Sequence, residues 1–157
     1  MPREKRKEMR QRKFVWPGLT LLALFVTAIV FAEADVIKER QKLMKSNSDA
    51  ARAIKVAVDA KDYATVETKA KDIVGNNTKI ASLFPKGSTT GKTKATAAIW
   101  EKSDDFAKAS EGLQRAASEL AAAAKSGNEA EVNVKLKAVG EACASCHKAF
   151  RAEKYAE

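Results

Sequence analysis

Cys143-Ala144-Ser145-Cys146-His147, followed by Phe150 and Arg151, lies near the C-terminus of the chain. It has the C-x-x-C-H form of a covalent c-type haem attachment site. Two thiols three residues apart can each take one vinyl group of a single porphyrin as a thioether. The adjoining imidazole then reaches the iron from one face of the ring. On a helix, Cys143 and His147 are four apart and project from the same side. A C-x-x-C pair also occurs as a thioredoxin-like dithiol, which needs a βαβ setting, and as half of a zinc site, which needs about four ligands. No strand pattern is found here, and the chain has no other cysteine and no other histidine. Haem is therefore favoured over zinc, and a structural or redox dithiol is the remaining alternative.

Outward from the motif, the segment that carries it has helical periodicity. Val132, Leu136, Val139, Cys143, Cys146/His147 and Phe150 form one stripe, so the apolar face leads directly into the haem ligands. Asn128, with Glu131 three residues on, predicts the start of this helix as a capping box. A preceding helix is predicted to begin between Ala95 and Ser103 and to end near Gly127, with Trp100, Phe106, Ala109, Leu113, Ala116 or Ala117 and Leu120 on its inner side. Residues 85–93, rich in Pro, Gly, Ser and Thr, predict a loop. Before it, a helix is expected from about Asp62 to Phe84, weakened at Gly75-Asn76-Asn77. The first helix is expected from Asp35 as N-cap to about Ala60. Its stripe is Val36, Arg40, Met44 or Leu43, Asn47, Ala51, Ile54 and Val58. Four such helices predict an all-α, up-down-up-down antiparallel bundle, a frame that houses cofactors among its facing helices.

Residues 1–34 differ in kind. Seven basic residues among the first 13 precede an apolar run from Phe14 to Ala32, and the segment closes on Ala32-Glu33-Ala34. That order describes a secretory signal peptide cleaved after Ala34. An uncleaved membrane anchor is the rival, since the run approaches the ~20 residues that cross a bilayer. Either way residues 35–157 are delivered outside the cytoplasm, to the bacterial periplasm, where haem is attached covalently. The chain's formal charge is +9, but residues 1–34 hold seven of the 29 Lys and Arg and three of the 20 Asp and Glu. The remainder is about +5. Lysines spread evenly along helices read as solvated surface, with no nucleic-acid site. A weakly positive face would still steer an acidic redox partner.

Taken together, these residues resemble the class II cytochromes c, whose branches are the high-spin cytochromes c′ and the low-spin c-556 type. The resemblance covers residues 35–157 and rests on three stretches: Arg40-Gln41-Lys42-Leu43-Met44-Lys45; Leu83-Phe84-Pro85 through Ala98-Ile99-Trp100; and Cys143 to Arg151. It implies one covalent haem c per chain, bound through Cys143 and Cys146, with His147 as proximal iron ligand. By likeness to the c-556 type it implies Met44 as distal ligand, although a methionine at that spacing also serves as a gap-filler in cores. Met44 is the sole methionine after residue 34. Arg40 and Arg151 stand as haem contacts, Arg40 towards a propionate, or as solvated helix charges. The expectation is a periplasmic electron-transfer protein, not an enzyme, that meets redox partner proteins as a monomer or homodimer. The alternative is a five-coordinate, c′-type protein that binds nitric oxide or carbon monoxide.

Overall fold

The computed structural model describes residues 18–89 and 91–154, with side chains from residue 35 onward. The expected leader, residues 1–34, falls outside the described side chains; of it only the helical backbone from residue 18 is described. Helix α1 spans Gly18–Asp59, α2 Tyr63–Ile80, α3 Ala98–Glu101, α4 Ser103–Ser126 and α5 Glu129–Phe150. A 3-10 turn, Ala81–Leu83, follows α2. Among the described residues there is no strand, only an isolated antiparallel bridge between Ala95 and Arg151. No helix among the described residues is long and apolar enough to cross a membrane.

The long helices α1, α2, α4 and α5 form a four-helix bundle. Three residues join α1 to α2 and two join α4 to α5, too few for anything but reversal. The α2–α4 pair is also antiparallel. Asn77, near the end of α2, donates to the Ser110 carbonyl near the start of α4 at 2.6 Å. The substantial packing runs α1 on α2, α2 on α4 and α4 on α5. The seam between α1 and α5 is thus left open.

Side-chain caps mark two helix starts. Asp62 accepts from the Thr65 amide and opens α2, and Asn128 accepts from the Glu131 amide and opens α5. Gly127, at φ 72°, ends α4 in the left-handed conformation that glycine adopts freely. Where these two turns meet, Lys61 bonds Glu129 at 2.8 Å. The main core beside them is small and tightly apposed. Ile54, Val66, Ala70, Ile73, Ala117, Leu120, Val132 and Val139 are buried in it, and the alanines let the helices approach closely. At the other end, Ile99, Phe106 and Phe150 form a second cluster with Phe84, Trp100 and Cys146 against it.

Four sequence expectations are corrected. Asp35 is not an N-cap, because α1 runs through it from Gly18. The buried line of α1 is Ile37, Arg40, Leu43, Asn47, Ala50, Ile54 and Ala57, so Val36, Ala51 and Val58 sit at its edge. Arg40, Leu43, Asn47 and Ile54 of the expected stripe are in this line, and a helix packed substantially on one neighbour buries too narrow a stripe to take in residues one place off it. Helix α2 continues unbroken through Gly75-Asn76-Asn77 and ends at Ile80 rather than Phe84. Its asparagines bond neighbouring helices: Asn76 donates to Asn47 at 2.8 Å and Asn77 donates to Ser110. Finally, the expected third helix is α4, with its start and end where expected, but Trp100 of its expected stripe lies in the separate short helix α3, with Lys102 between them in a non-helical conformation.

Candidate functional site

The aromatic end of the bundle holds a half-open cavity of about 490 Å³ along the α1/α5 seam. One wall is α1, through Arg40, Gln41, Met44, Lys45 and Ser48. These positions recur at the three-to-four spacing of one helix face, with Met44 at the centre. The facing wall is α5 and the residue after it, through Cys146, His147, Phe150 and Arg151. Phe84, Ile99 and Phe106 supply apolar lining, and Thr93, Lys94 and Ala95 complete it. Phe106 meets both Phe84 and Phe150 edge to face, at 5.0 and 5.2 Å between centroids, which fixes the shape of the apolar side.

Five of the six residues singled out from the sequence line this one cavity: Arg40, Met44, Cys146, His147 and Arg151. Cys143, half-buried one turn earlier on α5, packs against the main core. Burial raises the pKa of both thiols, and for Cys146 the charge of Cys143 adds to it. At neutral pH both are therefore protonated and uncharged. His147 keeps an exposed edge, yet desolvation of its ring, followed by the Arg151 charge, lowers its pKa. A neutral imidazole with a lone pair is the form that binds a metal.

Arg40 lines the cavity and is tied to the loop beside it. It is 3 % exposed, and its guanidinium faces the loop. Nη1 donates to the Ser88 hydroxyl at 2.8 Å and the Leu83 carbonyl at 3.3 Å. Nη2 donates to the Ser88 carbonyl at 2.6 Å and the Thr93 hydroxyl at 2.7 Å. The group also lies 4.6 Å above the Phe84 ring. Hydrogen bonds to its donors and a ring face beneath it are what allow a cation to be buried here. Arg151 is exposed and extended, and its amide bonds the His147 carbonyl at 3.0 Å.

Sequence reasoning did not anticipate that the loop forms part of the cavity, nor the parts of Phe84, Thr93 and Lys94. One signal was present: an arginine at a buried helix position requires acceptors, and the loop is rich in Ser and Thr.

The residues fit a haem. Two cysteines and an imidazole stand on one helix and a thioether on the facing one. The lining between them is largely aromatic and aliphatic, and the volume lies in the usual ligand-pocket range of about 300–1,000 Å³. Besides Arg40, whose guanidinium is held by the loop, Lys45, Lys94 and Arg151 line the cavity, and among the described residues no Asp or Glu does. Cationic side chains suit a macrocycle that carries two propionates. Lys45 is itself paired with Asp49, at 2.8 Å.

Comparison with known proteins agrees. The family model for cytochrome c′ matches residues 35–151. A cytochrome c′ of Rhodospirillum rubrum is 34% identical over 138 residues, covering 84% of this chain and 94% of that protein. A cytochrome c-556 of Agrobacterium fabrum is 31% identical over 137 residues, covering 85% and 92%. The structure of a cytochrome c′ from Shewanella frigidimarina superposes with a TM-score of 0.72 at 27% identity, covering 77% of this chain and 97% of that one. Matched by that family model over residues 35–151 and by relatives along most of their length, the chain belongs to the cytochrome c′ family of covalent haem c proteins.

Proposed function

We propose that the chain is a periplasmic electron carrier. One haem c is held by thioethers from Cys143 and Cys146, with His147 and Met44 as the two axial ligands of the iron. The observation that carries this reading is that Met44 and His147 line the same cavity from facing helices. Haem supplies the one-electron redox chemistry, and the chain does the rest. A thioether from Met44 is a soft, neutral ligand that favours ferrous iron and raises the potential. Phe84, Phe106, Phe150 and Ile99 keep water from the ring. With His147 and Met44 both holding the iron, the chain would leave no position open for a substrate. Residues 1–34 act as an export leader, and a protein partner with an acidic face completes the transfer.

A second reading follows from relatives that carry the name cytochrome c′, among them the Rhodospirillum rubrum protein. In it Met44 stays off the iron, and a small gas such as nitric oxide or carbon monoxide takes the distal position.

Absorption spectra of the haem-loaded protein, with and without carbon monoxide, distinguish the two. For His147/Met44 ligation both redox states are low-spin, the ferrous spectrum is unmoved by carbon monoxide, and Met44→Ala becomes high-spin and binds the gas. Ready binding by the unmodified ferrous protein rejects Met44 ligation, and so does a low-spin spectrum that survives Met44→Ala.

A further inference from the structure

Met44 belongs to α1 and His147 to α5, yet among the described residues these two helices meet only marginally. What joins them is the short segment Lys92–Thr96. On the α1 side, Gln41 Nε2 donates to the Lys92 carbonyl at 2.6 Å, and Arg40 Nη2 donates to the Thr93 hydroxyl at 2.7 Å. On the α5 side, the Ala152 amide donates to the Lys94 carbonyl at 2.8 Å, and the Thr96 amide donates to the Phe150 carbonyl at 3.1 Å. Ala95 and Arg151 form the isolated bridge between these two bonds. Thr93 is 2 % exposed, so the anchor on α1 is out of water.

We infer that Lys92–Thr96 is a strap that holds α1 and α5 at the separation needed for Met44 to stay on the iron, with Arg40 as its positioning residue. This rests on the His147/Met44 ligation proposed above. An external ligand competes with Met44 for one coordination position. Its apparent affinity is set by the fraction of molecules in which Met44 is off. These bonds tie the strap to both helices across the open seam, so loosening its hold on either one raises that fraction. The planar guanidinium reaches Ser88 and Thr93 at once, which a single ammonium at position 40 does not reproduce.

The test is carbon monoxide titration and spin-state spectroscopy of the haem-loaded full chain. Thr93→Val removes an anchor on the α1 side, and Ala152→Pro removes an amide donor on the α5 side. Each is expected to raise ferrous carbon monoxide affinity by about ten-fold or more, although the two bonds run to different helices. Combined with Met44→Ala, neither adds anything, because no methionine remains to be held; a purely structural loss would still add its own effect. Should Ala152→Pro lose helix content by circular dichroism, Lys94→Met takes its place, since it removes the exposed bond from Lys94 Nζ to the Glu153 carbonyl at 2.7 Å on the α5 side. Strap variants as inert to carbon monoxide as an inert unmodified protein overturn the strap and leave Met44 ligation standing. Unmodified protein that binds the gas as readily as Met44→Ala overturns both.

Discussion

Gly127 and Gly75 show how one residue type takes opposite roles at two positions. Gly127 has φ 72°, and a methyl group added there meets no atom within 4 Å. Its replacement by alanine is therefore a backbone effect alone, and Gly127→Ala is expected to cost about 1–2 kcal/mol. Thermal unfolding of the haem-loaded protein measures it, and an unchanged midpoint would contradict the left-handed cap. Arg40 and Met44 differ in another way, since both residue types have ordinary explanations at a helical stripe position. Only the acceptors that surround Arg40 and the wall that faces Met44 separate a clamp from a surface charge and a candidate ligand from a core filler. Those acceptors lie 43 to 53 residues away along the chain.

At the scale of elements, α2 carries Gly75 in mid-helix without a break. Glycine there is exposed and helical, with open space where a side chain would go. Gly75→Ala should raise stability by roughly 0.5–1 kcal/mol. A chemical-denaturation midpoint that fails to rise would show that Gly75 is needed for its shape. The same helix explains the misjudged break. Gly-Asn-Asn weakens an isolated helix because asparagine competes for its own backbone. Here Asn76 and Asn77 spend their amides on α1 and α4. Partners supplied by other elements reversed the local preference. The starts of α2 and α5 were better legible, because Asp62 and Asn128 act within three residues of themselves.

For the molecule as a whole, the bundle is a series of three packed helix pairs with one open seam, and the cavity occupies that seam. Much of the apolar interior at this end faces the cofactor, so a chain without haem is expected to hold the α1/α5 end poorly. Charge acts mainly on the surface. Hydrogen bonds from Lys45, Thr65, Lys71 and Lys135 hold the carboxyls of Asp49, Asp62, Glu67 and Glu119 below their usual pKa. Folded values that lie below unfolded ones add stability at pH above the ordinary carboxylate range of about 4. That increment is lost as pH falls through the lowered folded values. The urea midpoint of the haem-loaded protein should therefore drop between neutral pH and about pH 3. High salt should shrink the drop, since exposed lysine pairs are screened. A midpoint indifferent to acid would show these pairs to be idle.

By itself the amino-acid sequence determined the all-helical class, the number of long helices, most of their turns and the chemistry of the Cys143–His147 motif. Each of these is written in residues a few positions apart, where spacing on one helix face or a single cap decides the outcome. The edges of the buried stripe of α1, the continuity of α2 and the turn of Arg40 towards Ser88 and Thr93 were decided by tertiary structure alone. They depend on which distant groups arrive to satisfy a buried donor or to face a helix, and no local pattern encodes that.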